Sequence, residues 1–105
     1  MTTLERLYAT IEQRKGTDPA ASWTAKLLAK GVGKCAEKFG EEAIEAIIAA
    51  VGNDPENLRA EAADVLYHLL VMLAACDVTL DEVLGELERR KGISGLAEKA
   101  GRRHL

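Results

Sequence analysis

Between Lys34 and Val51 the chain has the period of a helix, yet its apolar side chains point in almost every direction around the axis. Cys35, Phe39, Ile44, Ile47, Ile48 and Val51, with the alanines between them, leave one polar stripe, in which Glu41, Glu42 and Glu45 fall within an arc of about 100° and Lys38 stands one turn earlier. A helix of this kind is expected to be buried on most sides, so its acids should open onto a cleft. The following helix repeats the arrangement. Between Ala60 and Cys76 its polar side chains are Glu61, Asp64, Tyr67 and His68, and Glu61, Asp64 and His68 share one stripe.

These two segments dominate a chain of 105 residues, which is one domain's worth of polypeptide and predicts a single domain over residues 1–105 with a thin core. Alanine and leucine number 31, against 17 valine, isoleucine and threonine residues. That balance predicts an all-α fold. A first helix is expected over Thr3 to Lys15, stopped by Gly16, and Ser22 to Lys30 reads as a short helix or an ordered loop interrupted by Gly31-Val32-Gly33. Asp54-Pro55-Glu56 supplies an N-cap, a proline in the first turn and an early acid; Thr79-Leu80-Asp81-Glu82 has the form of a capping box for a last helix ending near Gly92. Short connections between the long helices predict antiparallel neighbours in a bundle. Gly40, inside a strong helix, predicts a close helix approach.

The charge pattern excludes bulk attraction to nucleic acid. Net charge is −3, and the 37–64 segment carries eight acids against two bases. The 89–103 segment is basic, and Lys99, Arg102 and Arg103 are candidates to fold over an acidic cleft. Cys35 and Cys76 lie in apolar helical surroundings without a Cys-x-x-Cys spacing, which predicts buried free thiols and a cytoplasmic location. The most apolar run, Val65 to Cys76, is well short of the ~20 residues that span a membrane.

Carboxylates crowded in a cleft repel one another, and each is driven towards its neutral form unless a cation compensates. An all-oxygen donor set suits Mg²⁺, with Mn²⁺ as the alternative, and Mg²⁺ commonly combines a few carboxylates with water and substrate phosphates. The acidic pairs therefore point to a phosphate ester as substrate. Such a substrate also needs positive charge, for which Lys34 and Lys38 are the nearest candidates and Lys26 a further one.

Glu42-x-x-Glu45 followed by Glu61-x-x-Asp64 resembles the paired acidic signature of the all-α nucleoside-triphosphate pyrophosphohydrolases, the MazG-like superfamily. Within it, Ser22-Trp23-Thr24-Ala25-Lys26-Leu27-Leu28, the Lys34 to Glu45 segment, Glu61 to His68 and the closing Gly92 to Lys99 are similar to the phosphoribosyl-ATP pyrophosphatases, over nearly the whole chain. The resemblance implies hydrolysis of phosphoribosyl-ATP to phosphoribosyl-AMP and pyrophosphate in histidine biosynthesis, with Mg²⁺, in a cytoplasmic enzyme that is at least dimeric. It further implies metal binding by Glu42, Glu45, Glu61 and Asp64, and catalytic roles for Glu42 and Glu41. His68 reads as a hydrogen-bonded core residue that could orient Asp64, and Tyr67 as packing.

Three other readings compete with this one. A house-cleaning nucleotide pyrophosphohydrolase of the same superfamily would share the acids. A non-catalytic helical interaction module would carry them as surface charge. A ferritin-like iron bundle fits poorly, because its Glu-x-x-His pairs place histidine at i+3, whereas Asp64 and His68 are four apart.

Overall fold

The computed structural model describes residues 1–91, which form five α-helices and no strand: α1 (Thr3–Arg14), α2 (Trp23–Ala29), α3 (Val32–Val51), α4 (Pro55–Ala75) and α5 (Leu80–Arg90). The all-α expectation holds, and the short Ser22 to Lys30 piece is helical. Ser22 is its N-cap, accepting from the Ala25 amide at 3.0 Å. α3 begins at Val32, two residues before the predicted start, because Gly31 at φ 94° turns the chain and its carbonyl already accepts from the Cys35 amide. The last helix ends at Arg90. Gly92 to Lys99, Arg102 and Arg103 lie outside the described residues.

α3 and α4 form the principal helix pair, and a three-residue turn joins them. Gly52 ends α3, Asn53 takes the left-handed conformation at φ 56°, and the amides of Asn53 and Asp54 bond back to the carbonyls of Ala50 and Ala49. This is a Schellman closure with asparagine in the position glycine usually fills. Asp54 also opens α4, its Oδ1 accepting from the Asn57 amide at 3.2 Å. One residue thus closes the first helix and caps the second, and α4 packs back along α3. The same closure recurs at the end of α4, with Asp77 at φ 58° and the Asp77 and Val78 amides bonded to Ala74 and Leu73. There the chain leaves in a new direction, and α5 is bent 111° from α4.

α1 packs across α4 and α2, joining Tyr8 and Ile11 to Leu27, Cys35, Leu70, Val71, Ala74 and Leu80 in one core. Its polar tethers reach the α4–α5 turn: Tyr8 Oη donates to the Val78 carbonyl at 2.8 Å, and Lys15 pairs with Asp77. Burial and the neighbouring Glu12 carboxylate push the Tyr8 phenol up to about 12, so it stays a donor. Cys35 is buried as predicted, but Cys76 is exposed because it caps the end of α4. A Cβ on Gly40 would meet open space, so the expected close approach is absent among the described residues. No single helix there is long and apolar enough to cross a membrane, although the bent α4–α5 pair passes that test by composition.

The core and the caps should separate by magnitude. Leu70→Ala is expected to cost about 2–5 kcal/mol and Thr79→Ala, which removes the capping box of α5, about 1 kcal/mol. Urea denaturation at constant pH measures both; similar costs would contradict this division of the stability.

Candidate metal centre

The turn at Asn53 sets the register of the acids. Glu45 and Glu61 each stand eight residues from Asn53, Glu42 and Asp64 eleven, and Lys38 and His68 fifteen. With equal rise per residue along both helices, positions equidistant from the turn come level with each other. The side chains follow: one carboxylate oxygen from each of Glu42, Glu45 and Glu61 lies within 4.8 Å of the others. The two helices therefore deliver their acids to one place from opposite directions.

The cluster is electrostatically costly. Burial, then the adjacent Glu45 carboxyl, then the charges of Asp64 and Glu61 push Glu42 up to about 7. Burial and the same Glu45 carboxyl raise Glu61, while its contact with Glu42 works in the opposite sense. One oxygen of Glu61, Oε2, is buried without a hydrogen-bond partner. Three converging carboxylate oxygens, with Glu42 and Glu61 raised above the ordinary carboxyl range and an unpaired oxygen on Glu61, fit a hard divalent cation. Oxygens in one octahedral shell lie within about 4.2 Å of each other, so the three need to close only slightly around an ion.

The remaining predicted residues fall around this group. Asp64 is exposed and acts on Glu42, Glu61 and His68 through its charge, but stands outside the three-carboxylate group. Glu41 is also outside it: its Oε2 pairs with Lys38 at 3.0 Å, and that ammonium holds its carboxyl below the usual range. Lys38 is raised by Glu41 first, and by Glu42 and Glu45 through their charge, which puts a cation at the edge of the cluster. Lys34 pairs with Glu37 at 3.3 Å, one turn further from the acids, and Lys26 is exposed on α2. Tyr67 Oη joins Thr24 Oγ1 at 2.5 Å across α2 and α4, the packing role expected of it. His68 is buried, but its Nδ1 has no partner, so the expected hydrogen-bonded core histidine is only half realised.

α4 is buried along its C-terminal half, but α3 is not covered on most sides by the described residues. Ile44, Ile47 and Ile48 are 59–61 % exposed and Val51 82 % exposed, α4 being the main neighbour of α3 among the described residues and α2 a lesser one.

The model of the family described as phosphoribosyl-ATP pyrophosphohydrolase matches residues 4–91. The chain belongs to that family. It is 74 % identical over 102 residues to the phosphoribosyl-ATP pyrophosphatase of Rhodobacter capsulatus, covering 97 % of this chain and 99 % of the relative. The proteins of that name from Dinoroseobacter shibae and a Jannaschia species are 72 % and 68 % identical, each over 97 % of this chain and the whole of the relative. These phosphoribosyl-ATP pyrophosphohydrolase relatives match in length as well as in sequence.

Glu42 makes the stability of the cation-free protein fall with pH. Its folded pKa lies above its unfolded value of 4.5, so the folded state loses stability as pH rises from about 4.5 through about 7. His68, depressed by burial first and then by Lys38, acts in the opposite sense, so the comparison must be made against Glu42→Gln. In chelator, the variant should gain Tm over the parent as pH rises from 5.5 to 8. A pH-independent difference would remove Glu42 from the cluster.

Proposed function

We propose that this protein hydrolyses phosphoribosyl-ATP to phosphoribosyl-AMP and pyrophosphate, the second step of histidine biosynthesis, in the cytoplasm. The observation that carries the reading is the near full-length identity to phosphoribosyl-ATP pyrophosphatases, joined to a carboxylate cluster suited to a polyphosphate's counter-ion. The same names weigh against a house-cleaning nucleotide hydrolase, and a non-catalytic module would have no need of acids converging at a cost.

In this reading Glu42, Glu45, Glu61 and Asp64 hold Mg²⁺ or Mn²⁺. The bound ion supplies a Lewis acid that binds phosphate oxygens and makes water a better nucleophile. Glu42 also has the catalytic role of accepting a proton within the cluster, with Glu41 beside it on α3. Glu41 steadies Lys38, and Lys38 meets the charge that builds on the departing pyrophosphate. Lys34 and Lys26 contact the outer phosphates of the substrate.

Water attacking the α-phosphorus breaks the α–β bridge, so the first phosphorus NMR signals should be pyrophosphate and a phosphoribosyl monophosphate nucleotide. Orthophosphate appearing first would refute the reaction. Glu45→Gln and Asp64→Asn should each lower kcat/KM by roughly 100-fold or more.

The exposed isoleucines further support a dimer or larger homo-oligomer in which a second copy covers α3. Light scattering over a dilution series should find no monomer at micromolar concentration, and Ile47→Lys should shift the mass downward; an unchanged mass in that variant would place the contact elsewhere.

A further inference from the structure

His68 is the buried polar side chain of the described core, 6 % exposed, and its Nδ1 is unpaired. A buried ring nitrogen without a partner is costly enough to require an explanation. Among the described residues the side chains that could satisfy it are few. Tyr67 presents its ring edge-on, with centroids 4.9 Å apart, and its hydroxyl is already joined to Thr24. Lys38 and Glu41, which face His68 from α3, are joined to each other. Asp64 remains. It lies one turn before His68 on α4, and side chains on a helix lean towards its N-terminus, so the imidazole leans over the turn that carries Asp64. Asp64 makes no hydrogen bond or ion pair among the described residues, and it is also the one acid of the two pairs outside the three-carboxylate group.

A buried nitrogen without a partner thus stands one helical turn from the carboxylate that lies outside the three-carboxylate group. We propose that His68 is a positioning residue, whose Nδ1–H donates to one oxygen of Asp64 and so turns the other oxygen towards Glu42, Glu45 and Glu61 when these hold a cation. A neutral imidazole carries its proton on one nitrogen and accepts at the other, so Nδ1 can be the donor. Pairing of the nitrogen and completion of the ligand set are then one event. This inference rests on the metal reading above.

The side-chain amide of asparagine can stand where Nδ1 stands, whereas that of glutamine reaches the place of Nε2. Binding of Mn²⁺ to the full chain, followed by the electron paramagnetic resonance signal of the free ion, therefore separates the roles. His68→Leu and His68→Gln should weaken Mn²⁺ binding about 10–100-fold, while His68→Asn stays within about threefold of the parent. The cation-free Tm of His68→Leu should not fall, because an unpaired nitrogen is replaced by an apolar group. Parental affinity in His68→Leu, or equal weakening in His68→Asn and His68→Gln, would overturn the inference; should His68→Leu fail to fold, the asparagine and glutamine variants decide alone. Glu45→Gln is the control for the site itself. If the parent does not bind Mn²⁺, or Glu45→Gln binds it as tightly, the metal reading falls and the inference falls with it; failure confined to the His68 variants leaves the metal reading standing.

Discussion

The turn at Gly52, Asn53 and Asp54 is the constraint on which the rest of the molecule depends, because it fixes the register of α4 against α3. A helix advances about 1.5 Å per residue, so inserting one residue there would slide Glu61 past Glu45 by a comparable distance and rotate the stripe by about 100°. The turn resists such slippage through three interactions: the left-handed Asn53, the amide of Asp54 on the Ala49 carbonyl, and the carboxylate of Asp54 on the Asn57 amide. None of them touches the acids. They nevertheless determine that acids from two helices meet at all.

That meeting opposes folding. Carboxylates brought within 4.8 Å of one another repel, and the chain responds by holding Glu42 and Glu61 towards their protonated forms. The stability that tolerates this lies elsewhere, in the core between α1, α2 and the C-terminal half of α4, where Ile11, Leu27, Leu70 and Val71 are almost wholly buried. Glu61 occupies the N-terminal half of α4 and Leu70 and Val71 the other, so one helix separates a strained end from a well-packed end. Neutralising an acid at the first end removes repulsion without opening a cavity at the second.

The helices were legible because each carries its own local signals: Thr79 with Glu82, Asp54 before Pro55, and the 3.6-residue period of α3. The two acidic pairs were legible for the same reason, as spacings within a helix. Their convergence is a relation between helices, and its signal is the symmetry of positions about Asn53, which becomes meaningful only when a turn is placed there. Residues whose state depends on tertiary neighbours were read less well. Gly40 lacks the close neighbour its position in a helix implies, Cys76 is exposed by the end of α4, and His68 is buried without the hydrogen bond a core histidine normally makes. The apolar directions of α3 were legible from its sequence, but which of them α4 covers depends on how the helices pack, and the described residues leave Ile44, Ile47, Ile48 and Val51 exposed.

The placement of that uncovered surface bears on the site. At 100° per residue, Ile44, Ile47, Ile48 and Val51 lie roughly opposite Glu42 around the axis of α3, and Cys35, Lys38, Glu45 and Ala49 lie on its side. α3 therefore has two faces with different demands. One faces α4 and carries the acids; the other is an apolar stripe that water solvates poorly. A protein surface placed against that stripe would press α3 onto α4 from behind without entering the acidic cleft. Because the helix is nearly rigid between the two faces, bracing its back holds Glu42 and Glu45 against the repulsion that would otherwise push α3 away from Glu61. Burial on one side of a single helix can thus stabilise a charge arrangement on the other, and this is a physical reason for an acidic helix to keep four large aliphatic side chains where the described residues leave them exposed.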